Sequence, residues 1–257
     1  GVDNLQHLFW HYLHPDCIPH SLSPLETQNR ELCLNYFRHL DGFIAEIVRL
    51  AGPEAHIVMA SDHGFGPTTE VFYLNTWLHQ NGYLEWTDNV EMTADEEGTQ
   101  DPLVILPRNY VRTLDWNRTT AHGLTSSSNA IHISVAGRRG KEGIPPEDYY
   151  RFRQELIDKL LAFKEPATGE PVITRVWTRE ELFKGTQMEQ APDLTLELRD
   201  RGFISTLRSE EVFKPRPKVI GTHHPEGVFI AAGPGVKPEQ ISPLSILDVA
   251  PLLFYAL

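Results

Sequence analysis

Three short groups of carboxylates and imidazoles are the residues in this sequence whose types and spacing could do chemistry. Asp3 and His7 are four residues apart, so on a helix they would share one face and could chelate one ion. Asp62 and His63 follow a short, mostly apolar run, and His223 precedes a later one. Carboxylate and imidazole are ligands that suit Zn²⁺, Mn²⁺ and similar ions. Together the three groups predict a metal site.

Each group taken alone also has an ordinary explanation. Asp3 and His7 could be an exposed pair, Asp62 could open a turn, and histidines beside proline are common in loops. His224 competes with His223 for the third position. His122 and His132 are further candidates by residue type, but they are better explained as structural or surface histidines. Only convergence of the groups in the folded chain can separate these alternatives.

Alternating helices and strands are expected to position these groups. Apolar residues at spacings of three and four predict a helix over about 25–50, which Gly52 and Pro53 would end. The run 56–61 then predicts a buried parallel strand. Asp62 and His63 would lie at its carboxyl end, where open α/β sheets bind ligands.

The rest of the chain continues the pattern. Further helices are predicted at 74–80, 149–161 and 244–257, and strands at 130–135, 172–177, 194–198, 203–207 and 228–232, with an acidic loop at 85–101 and a polar loop at 221–227. We therefore expect an α/β fold in which a mainly parallel sheet is flanked by helices. Residues 1–257 would form one domain that carries a strand-rich insert at about 85–217.

Composition restricts the partners of the protein. The 257 residues carry a net charge of -12, which argues against binding to duplex nucleic acid but permits a phosphorylated substrate beside a metal ion. We find no apolar run long enough to span a membrane and no signal segment. Only two cysteines occur, so we expect a cytoplasmic protein, while the oligomeric state is left open.

The order of the motifs resembles that of a known superfamily. D-x-x-x-H is followed by S-D-H-G-x-G after an apolar strand, then by G-x-H before a strand that ends in A-x-G-P-G. This order resembles the alkaline phosphatase superfamily, and within it the type I phosphodiesterase/nucleotide pyrophosphatase branch with its prokaryotic phosphohydrolases and phosphomutases. The segments D-N-L-Q-H-L-F-W and S-I-L-D-V-A-P-L-L strengthen the likeness. The resemblance implies an alkaline-phosphatase-like fold.

The resemblance also implies two adjacent divalent ions, with zinc or manganese favoured. Asp3, His7 and His223 would hold one ion, and Asp62 and His63 the other. The second ion would also need an Asp and a Thr or Ser nucleophile, which the family places upstream and for which this sequence has no counterpart. The catalytic nucleophile is therefore unknown, and we expect a chain truncated at both ends, with little activity alone and with exposed apolar surface.

The function that the resemblance implies is metal-dependent hydrolysis of a small phosphorylated substrate, a phosphate monoester or diester, at a two-metal site. A cofactor-independent phosphomutase of the same superfamily is the nearest alternative. A non-catalytic metal-binding protein on the same fold, and an ordinary α/β domain without metal, are alternatives from other classes.

Overall fold

The computed structural model of the protein describes residues 1–87, 113–138 and 142–256, so most of the predicted acidic loop at 85–101 lies outside the described residues. In chain order the helices and strands are α1 (Val2–Leu13), α2 (Pro24–Ala51), β1 (Ile57–Ala60), β2 (Gly64–Tyr73), α3 (Leu74–Gln80), β3 (Ala121–His122), β4 (Ala130–Ile133), α4 (Tyr149–Leu161), β5 (Ile173–Thr178), α5 (Arg179–Leu182), β6 (Leu194–Leu198), β7 (Ile204–Ser205), β8 (Phe213–His224), β9 (Phe229–Ala232) and α6 (Val249–Ala256).

The longest helix forms where its pattern predicts it. Ser23 caps α2 by accepting a hydrogen bond from the Glu26 backbone, while the Glu26 carboxylate accepts one from the Ser23 backbone. Gly52 ends the helix with a φ of 84°, a conformation that glycine adopts without strain. The predicted apolar stripe is largely exposed: Phe43 retains 69% of its accessible surface and Ile47 65%. The expectation of exposed apolar surface is therefore confirmed.

The mixed α/β class is confirmed, but the mainly parallel sheet is not found in the described residues. Strand β2 pairs with β7 in parallel, whereas β1–β9, β3–β4, β4–β6 and β5–β6 are antiparallel pairs. No helix in the part of the chain that the structure describes has both the length and the apolar character needed to cross a membrane.

The chain divides into two compact units, Gly1–Thr68 with Lys218–Leu257, and Thr69–Pro217. The first unit contains α1, α2, α6 and the β1–β9 pair. The second unit contains a four-stranded sheet in the order β3-β4-β6-β5, and β7 beside the second-unit part of β2. The expected insert at about 85–217 falls within the second unit, and its status as an elaboration of one domain stays a prediction.

Two predictions about the first unit are wrong. The strand before Asp62 is not a buried parallel strand, because β1 pairs antiparallel with β9 and its residues are half-buried or exposed. The Ser61 hydroxyl accepts a hydrogen bond from the Val228 backbone at 2.7 Å, and the Val228 carbonyl accepts one from the Ser61 backbone at 2.9 Å. These bonds align the two strands in opposite directions. The predicted polar loop at 221–227 is also wrong in its first half, since β8 continues to His224.

A buried carboxylate organises the second unit. Asp193 is 2% exposed and accepts hydrogen bonds from the Ile133 backbone at 2.7 Å, from the Tyr149 hydroxyl at 2.7 Å, and from two guanidinium groups. Those groups belong to Arg138, at 2.8 Å, and to Arg179, which is itself buried. Burial raises the pKa of Tyr149, and the nearby carboxylate adds to this, so the hydroxyl keeps its proton and donates it. The network joins β4, α4 and α5.

Replacement of this carboxylate is expected to destabilise the protein strongly. Asp193→Asn leaves two guanidinium groups without their counter-charge, and we expect a loss of about 3 kcal/mol in the free energy of unfolding. The matched control is Asp148→Asn, which removes an exposed ion pair with Arg151 and should cost less than about 1 kcal/mol. Urea denaturation followed by tryptophan fluorescence measures both. Equal denaturation midpoints for the two variants would show that the network contributes no more than a surface pair.

Candidate metal centre

Two histidines attach α1 to β8. His7 Nδ1 lies 2.8 Å from the carbonyl oxygen of Gly221, and His11 Nδ1 lies 3.1 Å from that of Val219. The two bonds lie on either side of a kink in α1, because Phe9, between the two histidines, has a non-helical φ of -122° and ψ of 21°. Burial lowers the pKa of His11, and the bond to Val219 only partly offsets this effect. The lowered pKa favours a neutral ring, and the bond to the Val219 carbonyl places its proton on Nδ1. The helix is thereby held in one register along the strand.

The bond between His7 and the Gly221 carbonyl also orients the His7 ring. A carbonyl can only accept, so His7 Nδ1 carries the hydrogen and Nε2 of the neutral ring presents its lone pair on the opposite side. That Nε2 lies 3.1 Å from His223 Nε2. His63 has the same arrangement, because its Nδ1 lies 3.0 Å from the carbonyl oxygen of Gly64. Backbone carbonyls that hold one ring nitrogen are the usual partners of metal-binding histidines.

The Asp3 carboxylate stands among the three imidazoles. Its Oδ1 lies 3.1 Å from His223 Nε2 and 3.9 Å from His63 Nε2, and its Oδ2 lies 3.6 Å from His7 Nε2. One ligand atom from each of Asp3, His63 and His223 lies within 4.8 Å of the other two. Tetrahedral ligands about 2.0–2.1 Å from zinc are about 3.3 Å from one another, so these spacings fit a divalent ion.

Asp62 joins the group from the solvent side. Its Oδ1 lies 3.7 Å from His63 Nε2, and its side chain retains 89% of its accessible surface. The structure thus brings Asp3, His7, His63 and His223 together and places Asp62 at their edge. The expected division of these residues between two ions stays a prediction.

Phe65 forms the apolar wall of the cluster, and sequence reasoning missed it. Its ring centroid lies 4.9 Å from that of His7, 5.5 Å from that of His63 and 5.3 Å from that of His223. Contact with one aromatic ring limits how each imidazole can rotate. The available signal was an aromatic residue between Gly64 and Gly66, directly after the Asp-His pair.

The glycines of these motifs allow close approach of backbone segments. A methyl group at Gly221 would overlap the carbonyl oxygen of Gln6 and lie 3.0 Å from a ring carbon of Phe65. A methyl group at Gly64 would overlap the carbonyl oxygen of Glu226. The carbonyl groups of these same two glycines hold the His7 and His63 rings, so both close approaches lie beside the cluster.

The other candidate histidines lie outside the cluster. His224 follows His223 on β8, so its side chain leaves the opposite face, where its Nδ1 accepts a hydrogen bond from the Glu226 backbone at 3.3 Å. His122 and His132 belong to the second unit, and their rings stack with centroids 5.7 Å apart. Trp116 contacts the His122 ring edge-on at 4.8 Å. This stacking agrees with the structural role expected for His122 and His132.

The clustered carboxylates and imidazoles define a candidate divalent-metal centre in an α/β protein. A family model described as type I phosphodiesterase / nucleotide pyrophosphatase matches residues 1–226, which include every residue of the cluster. The chain belongs to this family, as the motif order predicts. Comparisons with curated proteins and with solved structures each found no match. Family membership supports phosphoester hydrolase activity.

A small change beside the cluster should disturb it without removing a ligand. Gly221→Ala forces the β8 backbone away from Gln6 and Phe65, so the carbonyl that orients His7 moves. We expect zinc affinity, measured by competition with a chromophoric chelator, to fall about tenfold. Gly42→Ala is the control, because a methyl group there meets no neighbouring atom and the site lies within α2. Unchanged affinity in Gly221→Ala would contradict this role for the Gly221 carbonyl.

Proposed function

We propose that this protein is a metal-dependent phosphoesterase that hydrolyses phosphodiester or related phosphoester bonds. The single observation that carries the proposal is the convergence of Asp3, His63 and His223 within 4.8 Å, in a chain of the type I phosphodiesterase family. The three residues come from α1, from the loop after β1 and from β8, so a shared location is not a consequence of local sequence.

The chemistry requires a local positive charge that the polypeptide does not provide. A phosphate ester is anionic and repels nucleophiles, and bound divalent ions neutralise its oxygens and stabilise the leaving group. The chain carries a net charge of -12, and the cluster itself contributes two carboxylates. Zinc and manganese both suit a set of carboxylates and imidazoles, so we propose one of these.

We propose a separate task for each side chain. Asp3, His7 and His223 would hold one ion, while His63 and the solvent-facing Asp62 would hold a second. The bonds of His7 to Gly221 and of His63 to Gly64 fix which ring nitrogen faces the ion. Phe65 excludes water from one side of the imidazoles and keeps them in place. The nucleophile is not assigned.

The substrate would be a small phosphorylated molecule whose phosphate approaches the cluster from the Asp62 side. This side chain is the most exposed of the five, so the edge that it forms is open to solvent. Hydrolysis is favoured over phosphomutase action because the matched family is one of phosphodiesterases and pyrophosphatases.

Adjacent histidines on one strand provide a matched test. In protein made from the complete reading frame, we expect His223→Ala to lower zinc or manganese affinity about 100-fold and to abolish hydrolysis of bis(p-nitrophenyl) phosphate. His224→Ala removes the neighbouring imidazole, which faces Glu226, and should leave metal content and turnover near their original values. Metal content is measured by elemental analysis after dialysis.

The outcomes separate metal binding from catalysis. Equal metal content in both variants would contradict the ligand assignment, and turnover that survives removal of the metal by a chelator would contradict metal dependence. Loss of metal in His223→Ala without any diester hydrolysis by the unaltered protein would leave a non-catalytic metal-binding protein on this fold.

A further inference from the structure

A pocket lined by both apolar and polar residues lies within the second unit, and none of its lining residues belongs to the candidate metal centre. Its volume is about 410 Å³, and β2, β7 and β8 contribute most of its lining. The polar residues that line it are Tyr73, Ser126, Ser205, Lys214 and Arg216, and the rest of the described lining is apolar. Two cations and three hydroxyl groups therefore face a pocket whose described lining contains no acidic residue.

Strand geometry explains why these groups share one surface. Lys214 and Arg216 are two residues apart on β8, so their side chains leave the same face of the strand. Tyr73 and Ser205 are directly opposite each other in the parallel β2–β7 pair, and they also share a face. Pro215, between the two cations, fits a strand position whose backbone N–H is not needed in the ladder.

Arg216 is the most unusual group of the pocket. Its Nε is buried and has no hydrogen-bond partner among the described residues. Burial lowers the pKa of the Arg216 guanidinium, although the charge of Asp200 acts in the opposite direction. A buried donor without an acceptor destabilises the folded protein, and a bound anion would remove that cost. The buried N–H is therefore an argument for a ligand that accepts hydrogen bonds.

The neighbouring groups complement this donor. The Lys214 amine is 3.5 Å from Glu211 and retains 35% of its side-chain exposure, so it can turn toward an anion. The Ser205 hydroxyl accepts a hydrogen bond from the Leu207 backbone at 3.3 Å, which leaves its own O–H to donate. Guanidinium, amine and hydroxyl donors around one space are the groups that bind phosphate oxygens.

We propose that this pocket binds the phosphate group of a ligand, with Arg216 and Lys214 as its cationic contacts. The hydroxyls of Ser205, Ser126 and Tyr73 donate to the remaining oxygens, and the apolar part of the lining contacts any organic group attached to the phosphate. The site is independent of the proposed hydrolase function, because no residue of the pocket belongs to the metal cluster.

Phosphate binding is tested on chelator-treated protein that carries His223→Ala, which removes the metal centre as a competing phosphate site. Isothermal titration with inorganic phosphate should show one saturable site. Arg216→Gln in this background should weaken binding about tenfold or more, because one charge-assisted contact is lost. Lys184→Gln removes an exposed cation elsewhere in the second unit and should have no effect.

Lys214→Gln is the second variant and should also weaken binding. It decides the test if circular dichroism shows that Arg216→Gln does not fold.

Phenyl phosphate that binds more tightly than inorganic phosphate would indicate a phosphate ester as the ligand, and equal affinities would indicate free phosphate. The proposal is overturned if the unsubstituted pocket shows no saturable binding, if Lys184→Gln weakens binding as much as the pocket variants, or if acetate binds equally well at the same ionic strength.

Discussion

The candidate metal centre depends on the hydrogen bonds between two helix α1 imidazoles and two β8 carbonyls. His7 and His11 lie on either side of the kink at Phe9, and the Gly221 and Val219 carbonyls that they contact are two residues apart on β8. The two bonds fix α1 along the strand, and with it the position of Asp3 one turn before His7. Because His7 donates through Nδ1, its Nε2 must face the cluster. One contact therefore sets both the register of the helix and the chemistry of its ligand atom.

Local signals in the sequence were sufficient to predict several helices and strands and to mark candidate residues of the cluster. The periodicity of α2 and its end at Gly52, the 149–161 helix and the 194–198 strand were all predicted from the sequence. The spacing of Asp3 and His7 and the position of His63 after β1 marked these residues as candidates, and the family's order of motifs grouped them. Residue type and order carry this information because ligand chemistry restricts which side chains can serve.

Long-range contacts explain what sequence could not predict. The antiparallel β1–β9 pair is a long-range contact, and the Ser61–Val228 bonds at its end join residues 167 positions apart. In the sequence Phe65 is one of many aromatic residues, and only the fold brings its ring into contact with three imidazoles. The family's spacing favoured His223 over His224, and the structure adds that β8 continues to His224, so the two side chains leave opposite faces of the strand. The Asp193 network likewise unites residues from four separate segments.

X-ray absorption at the zinc edge tests the central claim most directly, because it reports the atoms bound to the ion in solution. With one equivalent of zinc added, the account predicts nitrogen and oxygen neighbours at about 2.0–2.1 Å, together with the outer-shell scattering of two or more imidazole rings. A shell of oxygen atoms without imidazole scattering would contradict it, since the Nε2 atoms of His7 and His223 would then not bind the ion.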